Sequence, residues 1–202
     1  MGFYDDHIVP HLVNLSMRNS QLTPYRERTL AEAEGLVLEI GVGSGVNLPL
    51  YTGRAREIIG LEPHPKLLKM ASAKTRQMPS KLIEGSAESI PVDDDTVDTV
   101  VTTWTLCTIP EVATALSEMR RVLKPGGQLL FVEHGLSPDE GVQKWQNRLT
   151  PLWRRIAGGC HLNRPMRKLI EDAGFRISRL DTAYMPGPKL MTYMYEGAAR
   201  RA

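Results

Sequence analysis

Cysteine is scarce, long apolar runs are missing and neither sign of charge dominates, and each gap removes a class of protein. With only Cys107 and Cys160 in 202 residues, neither a disulfide framework nor a paired metal-ligand spacing can be written. Cys160-His161 offers two ligand types, but no second Cys or His pair sits nearby in sequence, so no metal is expected and both thiols read as small buried side chains. No stretch approaches the roughly 18 apolar residues of a membrane span. Lys and Arg outnumber Asp and Glu by only 25 to 23, which gives no field for nucleic acid. The opening Met1-Gly2-Phe3-Tyr4-Asp5-Asp6 is too acidic and polar for a signal peptide, and Asp6 stands where a myristoylation motif needs Ser or Thr. A cytoplasmic protein is expected.

What is present is a core: 42% of the residues are apolar and 24% charged, enough for one globular domain. The most informative stretch is Val37-Leu38-Glu39-Ile40-Gly41-Val42-Gly43-Ser44-Gly45, an apolar run ending in an acidic residue and three alternating glycines. Glycines there let a tight turn bring backbone N–H groups against a ligand. Glu62 closes the next apolar run, roughly 20 residues on, where doubly wound folds put a carboxylate against ribose hydroxyls. The dinucleotide fingerprint would place a third glycine at Val46, and Glu39 would repel a pyrophosphate. An acidic residue can instead hold an ammonium group, which S-adenosylmethionine (SAM) carries. The motif therefore points to an adenosyl cofactor, with an NAD-dependent oxidoreductase as the disfavoured alternative.

Periodicity orders the chain. Residues 7–34 read as helical, interrupted at Pro10 and Pro24; then come strand 36–40, a helix from about Asn47, strand 57–62, helix 65–76, strands 81–84 and 97–103, helix 111–123 and strand 128–133. Lys124-Pro125-Gly126-Gly127 stops the last of these helices. Helical segments at 139–157 and 165–173 follow, and apolar runs at 175–184 and 190–196 read as a hairpin joined through Tyr184-Met185-Pro186-Gly187-Pro188. This predicts an α/β, Rossmann-like, mostly parallel seven-stranded sheet with an antiparallel last strand and helices on both faces. Within this one domain, residues 1–34 are expected to form an N-terminal helical lid, 35–135 the cofactor-binding core, and 136–202 the substrate-side helices and the hairpin.

On Leu38 to Gly45, Gly60-Leu61-Glu62-Pro63, Gly85-Ser86-Ala87-Glu88-Ser89-Ile90-Pro91, Val97-Asp98-Thr99-Val100-Val101 and Arg120 to Gly127, the chain resembles class I SAM-dependent methyltransferases of the ubiquinone and menaquinone type. Thr105-Leu106-Cys107-Thr108, Phe131-Val132-Glu133-His134 and the segment from Trp145 to Gly159-Cys160-His161-Leu162-Asn163-Arg164 look like the animal membrane-associated methyltransferase-like enzymes that methylate alkyl thiols, and their bacterial relatives. Small phospholipid N-methyltransferases share the first motif. The resemblance implies that Gly41, Gly43 and Gly45 line the methionine part of SAM, that Glu39 steadies its amino group, and that Glu62 takes the ribose hydroxyls. It sets Ser86, Ala87 and Glu88 at the adenine, Thr103 and Trp104 at the carboxyl edge, and counts Asn47 and Pro63 with them.

The implied reaction is methyl transfer to a small hydrophobic acceptor, a thiol first, a lipid amine or quinone second; a non-catalytic SAM-binding regulator is the alternative of another class. His134 stands where an acceptor's proton could be taken, while Glu133 is expected to hold a loop N–H and Asp98 to be structural. Val142, Trp145, Leu149, Leu152, Trp153 and Ile156 share a helical face that could rest on a membrane or cap the substrate, or pack its tryptophans into the core.

Overall fold

The computed structural model describes residues 9–75 and 79–201. The strands are β1 Gly35–Ile40, β2 Ala55–Glu62, β3 Ser80–Glu84, β4 Val97–Thr103, β5 Leu123–His134, β6 Phe175–Tyr184 and β7 Tyr193–Arg201. They form one seven-stranded sheet in the order β3-β2-β1-β4-β5-β7-β6. β1, β2, β3, β4 and β5 pair in parallel, and β7 runs antiparallel between β5 and β6. The helices are α1 Val9–Met17, α2 Thr23–Ala31, α3 Pro65–Ser72, α4 Val112–Val122, α5 Glu140–Ile156 and α6 Met166–Asp172.

Strand alternation splits the core in two. Leu38, Val100, Leu129 and Phe131 pack with Leu116 and Met119 of α4 and Met166 and Ile170 of α6. On the opposite face, Val37, Val101 and Leu130 pack with Leu30 of α2 and Ala71 of α3. The central strands are consequently apolar on both sides, as a parallel sheet covered by helices requires.

Four expectations need correcting. The helix from Asn47 is only a 3-10 turn, Leu48–Leu50: Pro49 has no N–H to extend a ladder, and the chain leaves extended at Tyr51. Pro24 interrupts nothing, because it sits in the first turn of α2, where an N–H has no intrahelical partner; the break falls at Arg18 and Asn19, before a 3-10 turn at Ser20–Leu22 that Asn19 caps. Pro10 lies within α1. The expected helix 65–76 ends at Ser72, and its last residue lies outside the described ones, as do Phe3 and Tyr4 of the proposed lid.

α5 carries the fourth correction. Its buried positions are Gln146 and Thr150, and the Gln146 amide ties three segments together: Ser137 N–H donates to Oε1, while Nε2 donates to the carbonyls of Gly135 and Leu190. Trp145, Leu152 and Ile156 face solvent instead, so neither tryptophan is a core residue; Trp153 is half-buried. No helix among the described residues is long and apolar enough to cross a membrane.

Candidate active site

The parallel strands β1 and β4 end side by side, and the turn after β1 rises over that edge, where open α/β sheets bind ligands. Gly41, Gly43 and Gly45 all have positive φ, 69°, 55° and 72°, a region that L side chains avoid. Their surroundings differ. A Cβ on Gly41 would lie 2.5 Å from Thr105 Cγ2, and one on Gly45 would lie 3.0 Å from the Ala71 backbone, whereas one on Gly43 would meet nothing closer than 3.8 Å. Gly41 and Gly45 are thus required by packing, and Gly43 borders open space.

Glu62, at the end of β2, binds this turn. Its Oε2 accepts the Gly43 N–H and its Oε1 the His64 N–H, both at 3.0 Å. Burial nonetheless pushes its pKa up, against those two hydrogen bonds. Pro63 is exposed and, lacking an N–H, leaves that of His64 to close the loop. Gly85 N–H donates to the Glu62 carbonyl, which joins the Ser86 loop to the same edge. Ala87 is buried. Glu88 is engaged locally: its carboxylate accepts from Ser86 Oγ and from the Glu111 N–H at the start of α4. It therefore acts first as an anchor for α4.

Beneath the turn, Glu39 is 1% exposed. Asn47 Nδ2 donates to Oε1 and the Tyr51 hydroxyl to Oε2, each at 2.8 Å. Burial raises its pKa to about 7, opposed by those two donors and by Arg26. Asn47 also donates to Thr103 Oγ1 at the end of β4 and accepts from Arg26 Nε at 2.8 Å. The Arg26 guanidinium, itself buried, lies 4.6 Å from the centre of the Trp104 ring. Trp104 has φ +51°, a strained backbone for so bulky a residue, held by donation of its N–H to the Val132 carbonyl.

Sequence reasoning missed Arg26 and Tyr51, because nothing in the pattern of α2 or of the 3-10 turn marks them as partners of Glu39. The N-terminal segment reaches the turn a second time where Ser44 Oγ donates to Asn14 Oδ1 at 2.7 Å.

Next to this cradle lie the ends of β4 and β5. Glu133 Oε1 accepts the N–H groups of Thr105 and Leu106, the loop role expected of it, and burial raises its pKa to about 7. His134 does not present its imidazole to an open pocket: it is 9% exposed and its Nε2 lies 3.2 Å from Cys160 Sγ. Cys107 completes the group; the ligand atoms of Cys107, His134 and Cys160 all lie within 4.8 Å of one another. Cys160 is held well below the usual thiol range by its neighbours, Cys107 first and His134 next, while Cys107, whose Sγ donates to the Trp104 carbonyl at 3.6 Å, is pushed up by the nearby Cys160 and by burial. No spacing in the sequence could have joined these three residues, since each comes from a different loop or strand end.

An apolar groove of about 150 Å³ has Leu149, Leu152, Trp153, Ile156, Leu162 and Met191 among its walls, Leu162 standing two residues after Cys160. A cleft of about 640 Å³ lies at β6, β7 and α2; Tyr25 and Arg28 of the expected lid line it, but none of the candidate cofactor-binding or catalytic residues does, and Arg28–Glu196 and Arg179–Glu32 ion pairs stand in its walls.

A Rossmann-like sheet with a glycine turn over its carboxyl edge and an acidic residue at the end of β2 defines a nucleoside-cofactor enzyme, and comparison with known proteins narrows the class. The family described as "Methyltransferase domain" matches residues 38–131. Thiol S-methyltransferase TMT1B of Rattus norvegicus is 36% identical over 162 residues, covering 77% of this chain and 65% of that protein; its human counterpart is 33% identical, covering 79% and 67%. The chain thus spans about two thirds of the length of these relatives. Phosphatidylethanolamine N-methyltransferase of Cereibacter sphaeroides is 37% identical over 116 residues, covering 54% and 57%. Among solved structures, an S-adenosylmethionine-dependent methyltransferase from Mesorhizobium loti superposes with a TM-score of 0.68 at 17% identity, covering 91% and 99%. This chain belongs to the class I SAM-dependent methyltransferases, and its cofactor is SAM.

Proposed function

We propose that the protein methylates the sulfur of a small hydrophobic thiol. The observation that carries this is an apolar groove whose wall residue Leu162 stands two residues after Cys160, the partner of His134 at the end of β5; likeness to thiol S-methyltransferases over 162 residues, well beyond residues 38–131, supports it.

The cradle suits SAM: Gly43 is the glycine of the turn that borders open space, where a Cβ would intrude on a ligand. When bound, SAM supplies a methyl group already activated on a sulfonium, so the chain's work is alignment and exclusion of water. Gly41, Gly43 and Gly45 shape the turn for the methionine part, with Glu39 and Asn47 beneath it for the ammonium group. The Glu62 carboxylate keeps lone pairs for the ribose hydroxyls, and Ser86 and Ala87 border the adenine with Glu88 as their anchor and Pro63 beside them. Thr103 and Trp104 wall the methyl end. α1 and α2, tied to the turn through Asn14–Ser44 and Arg26–Asn47, act as a lid. His134, paired with Cys160, is the group on the acceptor's side, and Leu149, Leu152 and Trp153 receive the acceptor's apolar part. Trp145, Leu152 and Ile156, exposed on α5, give such an acceptor an apolar approach, including from a membrane surface.

The test is transfer of label from SAM to a panel of alkyl thiols, a phosphatidylethanolamine and a demethylated menaquinone, beside calorimetric titration with S-adenosylhomocysteine. Labelled thioether is expected; label only on the amine or the quinone ring would replace the proposal, and binding without any transfer would favour a regulator.

A further inference from the structure

Three side chains with soft or borderline donor atoms converge from separate parts of the chain. Cys107 stands in the turn after β4, His134 ends β5, and Cys160 follows α5. Each is fixed independently. The Cys107 carbonyl accepts the His161 N–H at 2.8 Å, β5 is locked by pairing of His134 with Met194, and the Cys160 N–H donates to the Ala157 carbonyl. A tetrahedral zinc ion with bonds of about 2.3 Å to sulfur and 2.0–2.1 Å to nitrogen separates its ligand atoms by roughly 3.5–3.8 Å. The His134 Nε2 to Cys160 Sγ distance is 3.2 Å, and the whole set falls within 4.8 Å, so small side-chain rotations suffice. His134 Nδ1 is buried and has no hydrogen-bonding partner among the described residues.

We propose that Cys107, His134 and Cys160 bind a thiophilic divalent metal, zinc, whose fourth coordination position takes the sulfur of the acceptor thiol. Two thiolates and a neutral imidazole neutralise the ion's charge in a buried setting. Three protein ligands leave a position open, the arrangement of catalytic rather than structural zinc, and the set favours zinc over oxygen-seeking cations. Trp153 and Leu162, which wall the apolar groove, flank Cys160 in the chain, so an apolar thiol entering from that groove brings its head group towards the metal. On coordination the acceptor S–H bond breaks, its proton leaves to solvent, and the electron pair stays on sulfur as the metal–sulfur bond forms. Once methylated, that sulfur is a thioether, a poorer ligand, and it departs.

The second part rests on the thiol reading above, and the experiment keeps the two apart. Reduced, purified protein is titrated with zinc and with cobalt(II), with Cys160→Ser and His134→Gln variants alongside, and S-adenosylhomocysteine binding is measured on all three. One metal equivalent in the parent is expected, with a cobalt–thiolate charge-transfer band, and at least a tenfold loss of affinity in each variant while S-adenosylhomocysteine still binds. An alkyl thiol added without SAM should shift the cobalt spectrum. A parent that takes up no metal, or whose two cysteines form a disulfide instead, overturns the site. Metal bound with a spectrum indifferent to saturating thiol overturns the acceptor role. Failure of the parent to bind S-adenosylhomocysteine would sink the methyltransferase reading and leave the metal measurement to stand alone.

Discussion

The Glu62 carboxylate holds the Gly43 N–H at 3.0 Å across 19 residues of chain, so the end of β2 and the tip of the glycine turn form one unit. Removing the side chain takes a ligand group away and unties the turn at once. Glu62→Ala should weaken S-adenosylhomocysteine binding by at least tenfold, about 1.4 kcal/mol or more, while Glu62→Gln, which can still accept from Gly43, should lose less. Calorimetric titration measures both, and equal affinity for Glu62→Ala and the parent would remove Glu62 from the site.

The glycines of the turn should separate into two kinds. Gly41→Ala forces a Cβ against Thr105 and should lower the melting temperature most. Gly43→Ala meets only the Gly41 carbonyl, at an ordinary 3.8 Å, so its cost is confined to the left-handed backbone, about 1 kcal/mol. Its larger effect should be on the cofactor, whose approach the methyl obstructs. Thermal unfolding with and without S-adenosylhomocysteine compares the two, and a Gly43→Ala protein still stabilised like the parent by ligand would contradict the open side assigned to Gly43.

Glu39 predicts a pH dependence. With a folded pKa of about 7 against an ordinary value near 4.5, the fold holds this proton more tightly than the unfolded chain, so stability declines as pH rises from about 4.5 to about 7, by roughly 3 kcal/mol at most. Glu39→Gln lacks that dependence and should gain on the parent between pH 5 and pH 8 in denaturant unfolding. An ammonium group placed at Glu39 would drive the proton off. Binding of S-adenosylhomocysteine at pH 7 should then release about half a proton, read from the dependence of binding heat on buffer ionisation, and none in Glu39→Gln.

If α1 and α2 close over the cofactor, trypsin cleavage between Arg18 and Arg28 should slow several-fold in the presence of S-adenosylhomocysteine. Arg28, tied to Glu196 by two hydrogen bonds, should be cut later than Arg18. Identical cleavage rates with and without ligand would make these helices a fixed cover.

The sheet was legible in the sequence because its signals are local: apolar runs ended by Gly41, Glu62 or His134, and a helix stopped ahead of Gly126. Even Asp98 declared its structural place, accepting the Leu36 N–H and pairing with Lys124. The helix expected after Asn47 failed because Pro49 outweighs the neighbouring leucines. α5 was misread because burial there follows hydrogen bonding: Gln146 turns inward to satisfy one N–H and two carbonyls, and the tryptophan that periodicity would bury faces out. Arg26 under Trp104, and Cys160 against His134, are juxtapositions made only by tertiary folding, which no spacing encodes.

The position of β7 between β5 and β6 has a kinetic consequence. One edge of β5, the strand that carries Leu130, Phe131 and His134, is paired only by residues 194–200, among the most distant in sequence. Such non-local pairing is slow, so the β5 amides facing β7 should be the last of the central strands to gain protection in a refolding hydrogen-exchange pulse. Until then β5 offers an adhesive edge to other chains, and crowded refolding should lose material at that step.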